Sequence, residues 1–194
     1  MVDRYRHLAW KEKSRPKIAE YQLFDLYTTK RSSMKHDDAE FLLVDAPNWV
    51  TIVPYIEDDD RFLMVRQYRH GSSSITLEFP AGVVNTGEPP IDAAARELRE
   101  ETGCTTESLA AVGSVNPNPA FMTNEVSTYV ATGLICNGSR DLDEHELIDV
   151  ERIPVADVLA GMGSPPFTNG IMVISFTWFL RWRNGLLDSQ PGLQ

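Results

Sequence analysis

The chain has 194 residues, 42% of them apolar, which suits one ordinary domain with a small appendage and excludes general disorder. Its net charge of −10 is uneven: residues 1–35 carry nine Lys/Arg against four Asp/Glu, and the remainder carries nine against 24. The basic start lacks the interleaved aromatic and basic residues of a nucleic-acid reader, so no nucleic-acid partner is expected. The acidic remainder would repel a phosphate unless cations intervene. Charges at Asp3, Arg4 and Arg6 with no apolar run behind them do not read as a secretory signal, and Asp3 and Glu12 break up the basic residues of a transit peptide. The longest apolar run, residues 171–180, is too short to span a bilayer. A cytoplasmic protein without membrane contact is expected. Cys104 and Cys136 stand 32 apart in no metal-ligand spacing and are expected as reduced thiols.

In chain order, residues 1–18 are polar and read as an irregular arm. Residues 21–29, rich in aromatic and β-branched types, read as a strand, and residues 40–44 as a second, with a charged turn between them. So small a β unit buries too little apolar surface to stand alone and must pack on its own domain or a partner. Residues 49–56 (WVTIVPYI) are almost continuously apolar and predict a strand buried on both faces. Asp58, Asp59 and Asp60 form a turn, residues 61–68 return as a strand, and residues 75–79 are a short one ending at Pro80-Ala81-Gly82.

A helix starts near Pro89-Pro90, where proline is tolerated in the first turn, and stops at Gly103. Ile91, Ala94, Ala95, Leu98 and Thr102 form its inward stripe. Strands follow at 109–115, 125–132 and 147–153, with an acidic loop at 140–146. A short helix occupies 154–160, and a final helix, capped by Thr168 or Asn169, runs over 170–183 to a stop at Gly185. Residues 188–194 read as a loose tail.

The first of these helices carries the chemistry. Glu97, Glu100 and Glu101 share a face at i, i+3 and i+4. Three converging carboxylates repel one another, and a hard divalent cation removes the repulsion. With no His or Cys in the set, zinc is disfavoured. The helix alone fits two readings: a metal site, or a solvated acidic face with Arg96 and Arg99 pairing locally. The glycine loop ahead of it favours metal, because backbone carbonyls can approach a cation there.

The spacing of Gly82, Glu88, Arg96, Glu97, Leu98, Glu100, Glu101, Gly103 and Cys104 resembles the Nudix box, G-x5-E-x7-R-E-U-x-E-E-x-G-U, with Cys104 a mild departure at the last aliphatic position. Seven fixed charged or glycine positions match by chance with a probability on the order of 10⁻⁹ per start point. The resemblance implies an α/β fold, a Nudix α/β/α sandwich with a mixed β-sheet preceded by the small N-terminal β unit. The units expected are residues 1–46, with a part in dimerisation, and residues 47–194. It also implies hydrolysis of a nucleoside diphosphate linked to another group, with Mg²⁺ or Mn²⁺. Glu97 and Glu101 would be the main metal ligands and Glu100 a third, completed by the backbone carbonyl of Ala81 or Gly82. Arg96 would orient these carboxylates with Glu88 as its partner.

Beyond the box, residues 49–185 look like the ADP-ribose and nucleoside diphosphate sugar pyrophosphatases. Arg66-Gln67-Tyr68-Arg69 matches a strand end that supplies a substrate-contacting arginine, at Arg69; guanidinium pairs bidentately with phosphate. Leu77-Glu78-Phe79-Pro80-Ala81-Gly82 matches the approach to the box. Residues 118–125 sit where the branch has a proline-containing loop, which implies substrate contact at Pro119 and substrate or metal contact at Glu125. This loop is about one residue longer than the branch's Ser-Pro-Gly-Phe-x-(Asp/Ser)-Glu pattern and has Ala120 where glycine is common, so a sugar nucleotide other than ADP-ribose fits as well. The acidic loop would supply the general base, Glu144 first and Glu146 second. A nucleoside triphosphate pyrophosphatase and a non-catalytic nucleotide-binding module on the same fold are the competing readings. Branch resemblance, with the apolar β unit and final helix, implies a homodimer.

Overall fold

The computed structural model describes residues 3–142 and 144–187. They form two compact units, one of residues 3–47 with 116–125 and the other of residues 48–115 with 126–187. The first unit thus ends at Pro47 and takes in the loop that holds Pro119 and Glu125. The tail expected at 188–194 and Asp143 of the acidic loop lie outside the described residues.

The first unit is more ordered than its polar sequence suggests. A 3-10 helix at Asp3–Leu8 precedes β1 (Lys11–Ser14) and β2 (Lys17–Glu20), where an irregular arm was expected. Both pair antiparallel with β3 (Asp25–Ser32), whose other edge takes β4 (Ala39–Asp45). Charged residues hide these strands from hydrophobic patterning, because almost nothing in the unit is buried; Thr29 is the exception among its strand residues. Ion pairs such as Arg31–Glu12 at 2.8 Å and Lys17–Asp25 at 2.6 Å tie the strands together. The loop 116–125 is held to β4 by Val44 N–H to Phe121 O at 2.8 Å and Thr123 N–H to Val44 O at 3.1 Å.

The second unit is a mixed seven-stranded sheet with helices on both faces. Its strands are β5 (Trp49–Ile56), β6 (Arg61–Arg69), β7 (Ser74–Glu78), β8 (Ala81–Val83), β9 (Cys104–Val115), β10 (Val126–Cys136) and β11 (Ile148–Pro154). The order is β11-β6-β5-β10-β9, with β7 on β6 and β8 on β5. Only β5 and β10 run parallel. β5 and β6 pair at their hairpin end, through Tyr55–Phe62 and Ile56–Arg61, and then part to take different neighbours.

Alternation along β5 divides the core. Val53 and Tyr55 join Phe62, Met64, Leu77 and Phe79 against α3 (Gly170–Arg183), through Met172, Phe176 and Phe179. Val50 and Ile52 join Tyr129 and Ala131 against α1 (Pro90–Thr102). The short α2 (Val155–Gly161) adds Val155 and Val158 to the first cluster. Asn169 caps α3 by accepting from Ile171 N–H at 2.8 Å, a contact worth about 1 kcal/mol in such caps. Most of the apolar side chains of α3 are wholly or partly covered within this unit, Trp178 and Trp182 included, so the helix leaves less for a partner than its sequence suggests. Among the described residues no helix is long and apolar enough to cross a membrane.

Helix α1 begins with Pro90 in its first turn. It ends at Gly103, whose φ of 71° lets its N–H reach Arg99 O at 2.8 Å. Its buried residues are Ala93, Ala94, Leu98 and Glu101. Ile91 and Ala95, expected inward, are exposed: the inward face is turned so that small alanines meet the sheet and one glutamate is drawn in with them. Truncating Leu98 to Ala would cost about 2–5 kcal/mol.

The expectation of free thiols is overturned. Cys104 and Cys136 are register partners across β9 and β10, with Cα atoms 4.0 Å apart, and are joined in a disulfide. Antiparallel pairing brings together residues that sequence spacing separates by 32. Restricting the unfolded chain in this way stabilises the fold by roughly 3–4 kcal/mol on the chain-entropy account. The bond lies where α1 ends and the acidic loop begins. Gly138 N–H to Gly103 O at 3.1 Å and Asp141 N–H to Glu100 O at 3.0 Å fasten the loop's first residues to the helix end.

Candidate active site

Arg96 organises the acidic face. Its guanidinium donates to Glu88 from Nε (2.9 Å) and Nη2 (3.1 Å), and to Val83 O from Nη2 (2.9 Å). From Nη1 it donates to Glu97 (2.7 Å) and Glu100 (2.9 Å). All five N–H donors of the side chain are engaged. Glu88 also accepts from Asn85 N–H at 3.0 Å, and the Arg96 hydrogen bonds together with that backbone donor lower its pKa to about 2. Glu88 is therefore held ionised as the outer brace.

Two glutamates point the other way energetically. Burial raises the Glu97 pKa, and the charges of Glu100 and Glu146 add to it, against the pull of Arg96. Burial raises Glu101 well above the usual carboxylate range, and the Glu97 charge raises it further. Glu101 is 3% exposed and accepts from Ala81 N–H at 3.2 Å. A Cβ at position 82 would meet the Glu97 carboxyl where it now lies and displace it. Gly82 thus gives Glu97 room against β8.

A hard divalent cation fits this donor set. A carboxylate buried beside another carboxylate, with no cationic partner among the described residues as close as Arg96 is to Glu97, is what such an ion stabilises. Among the described residues no three acidic or imidazole groups are already gathered in ligand geometry. Arg96 holds Glu97 and Glu100 in place instead. Glu100 is the outermost of the three, shared between Arg96 and Arg99.

The sheet brings a cation to the same face. Val65 pairs with Glu78, Gln67 with Thr76 and Arg69 with Ser74, so Arg69 and Glu78 share the face opposite Phe62, Met64, Leu77 and Phe79. This is the α1 face. Arg69 is held by Glu78, and the Glu101 and Glu146 charges act on it next. Glu146, exposed in the acidic loop, also raises Glu97 and Glu101. Glu144, exposed two residues earlier, is not among the charges that shift these groups most. Pro119 and Glu125 belong to the first unit.

Glu78 was passed over in the sequence, where it appeared only within the approach to the box. The signal was present: an acid alternating with apolar residues in Ile75-Thr76-Leu77-Glu78-Phe79 falls on a buried strand face and needs a partner.

The NUDIX domain family matches residues 47–169, a span that contains every residue of this cluster. The ADP-ribose pyrophosphatase of Bacillus subtilis (strain 168) is 30% identical over 148 residues, covering 73% of this chain and 80% of that protein. The ADP compounds hydrolase NudE of Escherichia coli (strain K12) is 29% identical over 136 residues, covering 70% and 72%. A crystal structure of an ADP compounds hydrolase superposes with a TM-score of 0.80 at 23% identity, over 91% of this chain and 95% of that one, and so shares its fold. With its glutamate helix, arginine brace and glycine-opened strand inside the matched span, this chain belongs to the NUDIX domain family.

Proposed function

We propose that the protein hydrolyses the pyrophosphate of a nucleoside diphosphate sugar, ADP-ribose or a close relative, to a nucleoside monophosphate and a sugar phosphate. The observation that carries this reading is the buried Glu101 beside the partly buried Glu97, on the same sheet face as a half-exposed Arg69. Relatives named for ADP-ribose and ADP compounds support the substrate class.

Glu97 and Glu101 would hold Mg²⁺ or Mn²⁺ with the backbone carbonyl of Ala81 or Gly82, and Glu100 would join from the rim. Bound there, the cation supplies neutralisation of the pyrophosphate charge and acidification of a water. Arg69 binds a phosphate oxygen through its outward N–H groups. Glu146, with Glu144 as the alternative, accepts the proton of the attacking water. A new oxygen–phosphorus bond forms as the bridging one breaks. Arg96 and Glu88 keep the helix carboxylates in position and touch no substrate. Pro119 and Glu125 are proposed substrate contacts on resemblance alone.

We also infer a homodimer. The first unit exposes Tyr5, Leu8, Trp10, Ile18, Tyr21, Leu23, Phe41 and Leu42, more apolar surface than so small a sheet ordinarily leaves in water. A cytoplasmic setting goes with the substrate class, and there the Cys104–Cys136 bond has to withstand the reducing thiol pool.

Three outcomes are expected. Given ADP-ribose, other sugar nucleotides and deoxynucleoside triphosphates with Mg²⁺, the protein should turn over a sugar nucleotide and release a monophosphate and a sugar phosphate. Turnover of triphosphates alone would contradict the assignment. Glu101→Gln should lower turnover by about 10³-fold or more, as loss of a transition-state contact does. It should also raise the Tm of the ion-free protein at pH 7 by a few degrees. The sign follows from burial: a carboxyl raised on folding binds its proton more tightly in the folded state. Stability is therefore lost as pH rises from the unfolded value, about 4, through the folded one. Gln keeps the Ala81 contact without the charge. A Tm unchanged or lowered would argue against the buried charge. Light scattering at micromolar concentration should give twice the 21.8 kDa chain mass, and a monomer would refute the dimer.

A further inference from the structure

Resting on the reading of Arg69 as a phosphate clamp, we propose that Glu78 is its positioning residue: a buried carboxylate that fixes the guanidinium plane and aims its open edge at the phosphate. The contact is asymmetric. The Glu78 side chain is 2% exposed while that of Arg69 is 41% exposed. Glu78 takes one edge of the guanidinium, from Nε at 3.1 and 3.2 Å and from Nη2 at 2.7 Å. Glu78 takes nothing from Nη1, which stays on the other edge. After Glu78, the charges acting most on Arg69 are those of Glu101 and Glu146, so the guanidinium sits beside the acidic cluster.

Glu78 is built to stay ionised and out of the reaction. Burial alone would raise its pKa, but donation from Arg69, the Arg69 charge, and donation from Thr76 and Asn169 outweigh that and lower it. Thr76 lies on the same strand face, and Asn169 is the cap of α3. The carboxylate is thus anchored from β6, from β7 and from the α3 terminus. Being so enclosed, it cannot touch a substrate. Its effect has to pass through Arg69, whose planar fork cannot swing while one edge is held.

Here only the carboxylate is buried, and the cation is left with donors facing the site. An arginine fixed in this way loses less side-chain freedom when phosphate binds than a loose one does.

The test combines steady-state kinetics with ADP-ribose and Mg²⁺ and an NMR measurement on the unliganded wild type. Arg69→Ala should raise KM about tenfold or more, as loss of a uniform binding contact does. Glu78→Gln alone should raise KM about tenfold with kcat reduced less than about threefold, and in the Arg69→Ala background it should add less than about twofold. In the wild type the Arg69 Nε–H should give a resolved, slowly exchanging resonance without any substrate. Absence of that resonance, or an equal KM factor for Glu78→Gln in both backgrounds, overturns the positioning role alone. An Arg69→Ala protein with unchanged KM overturns the clamp reading and this inference with it. Should Glu78→Gln fail to fold, the wild-type resonance still decides.

Discussion

One guanidinium carries the arrangement of the site. Arg96 spends five N–H groups on Glu88, Glu97, Glu100 and the Val83 carbonyl, and so joins the loop before α1 to the acidic face of the helix. Without it, Glu97 and Glu100 would repel each other and Glu101 across one helix face. With it, Glu97 is oriented yet remains raised by burial, and Glu101 remains buried without a comparable cation. That imbalance costs the fold stability, and a divalent cation bound there would remove it. Glu88 supplies the counterweight: ionised and fastened to Asn85, it keeps Arg96 from shifting wholly toward the ligands.

The sheet determines what faces this helix. Because β5 and β6 part beyond Tyr55–Phe62 and Ile56–Arg61, β8 can run beside β5 under Glu97 while β7 runs beside β6. Strand alternation does the rest. One face of β6 and β7 gives Phe62, Met64, Leu77 and Phe79 to the α3 core, and the other gives Arg69, Thr76 and Glu78 to the α1 side. Two buried carboxylates with opposite tuning follow. Glu78, rich in donors, stays ionised; Glu101, poor in them, is pushed towards its neutral form. The first is suited to holding an arginine and the second to receiving a metal.

Much of this was legible in the sequence, for particular reasons. The box spacing identified α1, its glutamates and its glycines, because glycine contact and charge pairing there depend on fixed separations along one helix. Trp49–Ile56 and Gly170–Arg183 were read to the residue, since continuous apolar character and an Asn cap leave few alternatives. What failed depended on tertiary context. The helix face was turned by a residue, so that Ala93 is buried and Ile91 exposed, because α1 packs closely on Val50 and Ile52 through small side chains. Strands β1 and β2 were invisible because they are held by β3 and by ion pairs instead of burial. The disulfide required the β9–β10 register. That the Glu146 charge acts on Glu97, Glu101 and Arg69 is likewise something no linear spacing reports.

The most direct measurement is a Mn²⁺ titration followed by electron paramagnetic resonance, comparing the wild type with Glu97→Gln, Glu101→Gln and Glu144→Gln. If Glu97 and Glu101 hold the ion, the wild type and Glu144→Gln should deplete the free Mn²⁺ signal alike. Each of the other two variants should bind at least about tenfold more weakly, the loss expected for a removed carboxylate ligand. Equal Mn²⁺ affinity in all four proteins would show that Glu97 and Glu101 are not the metal site.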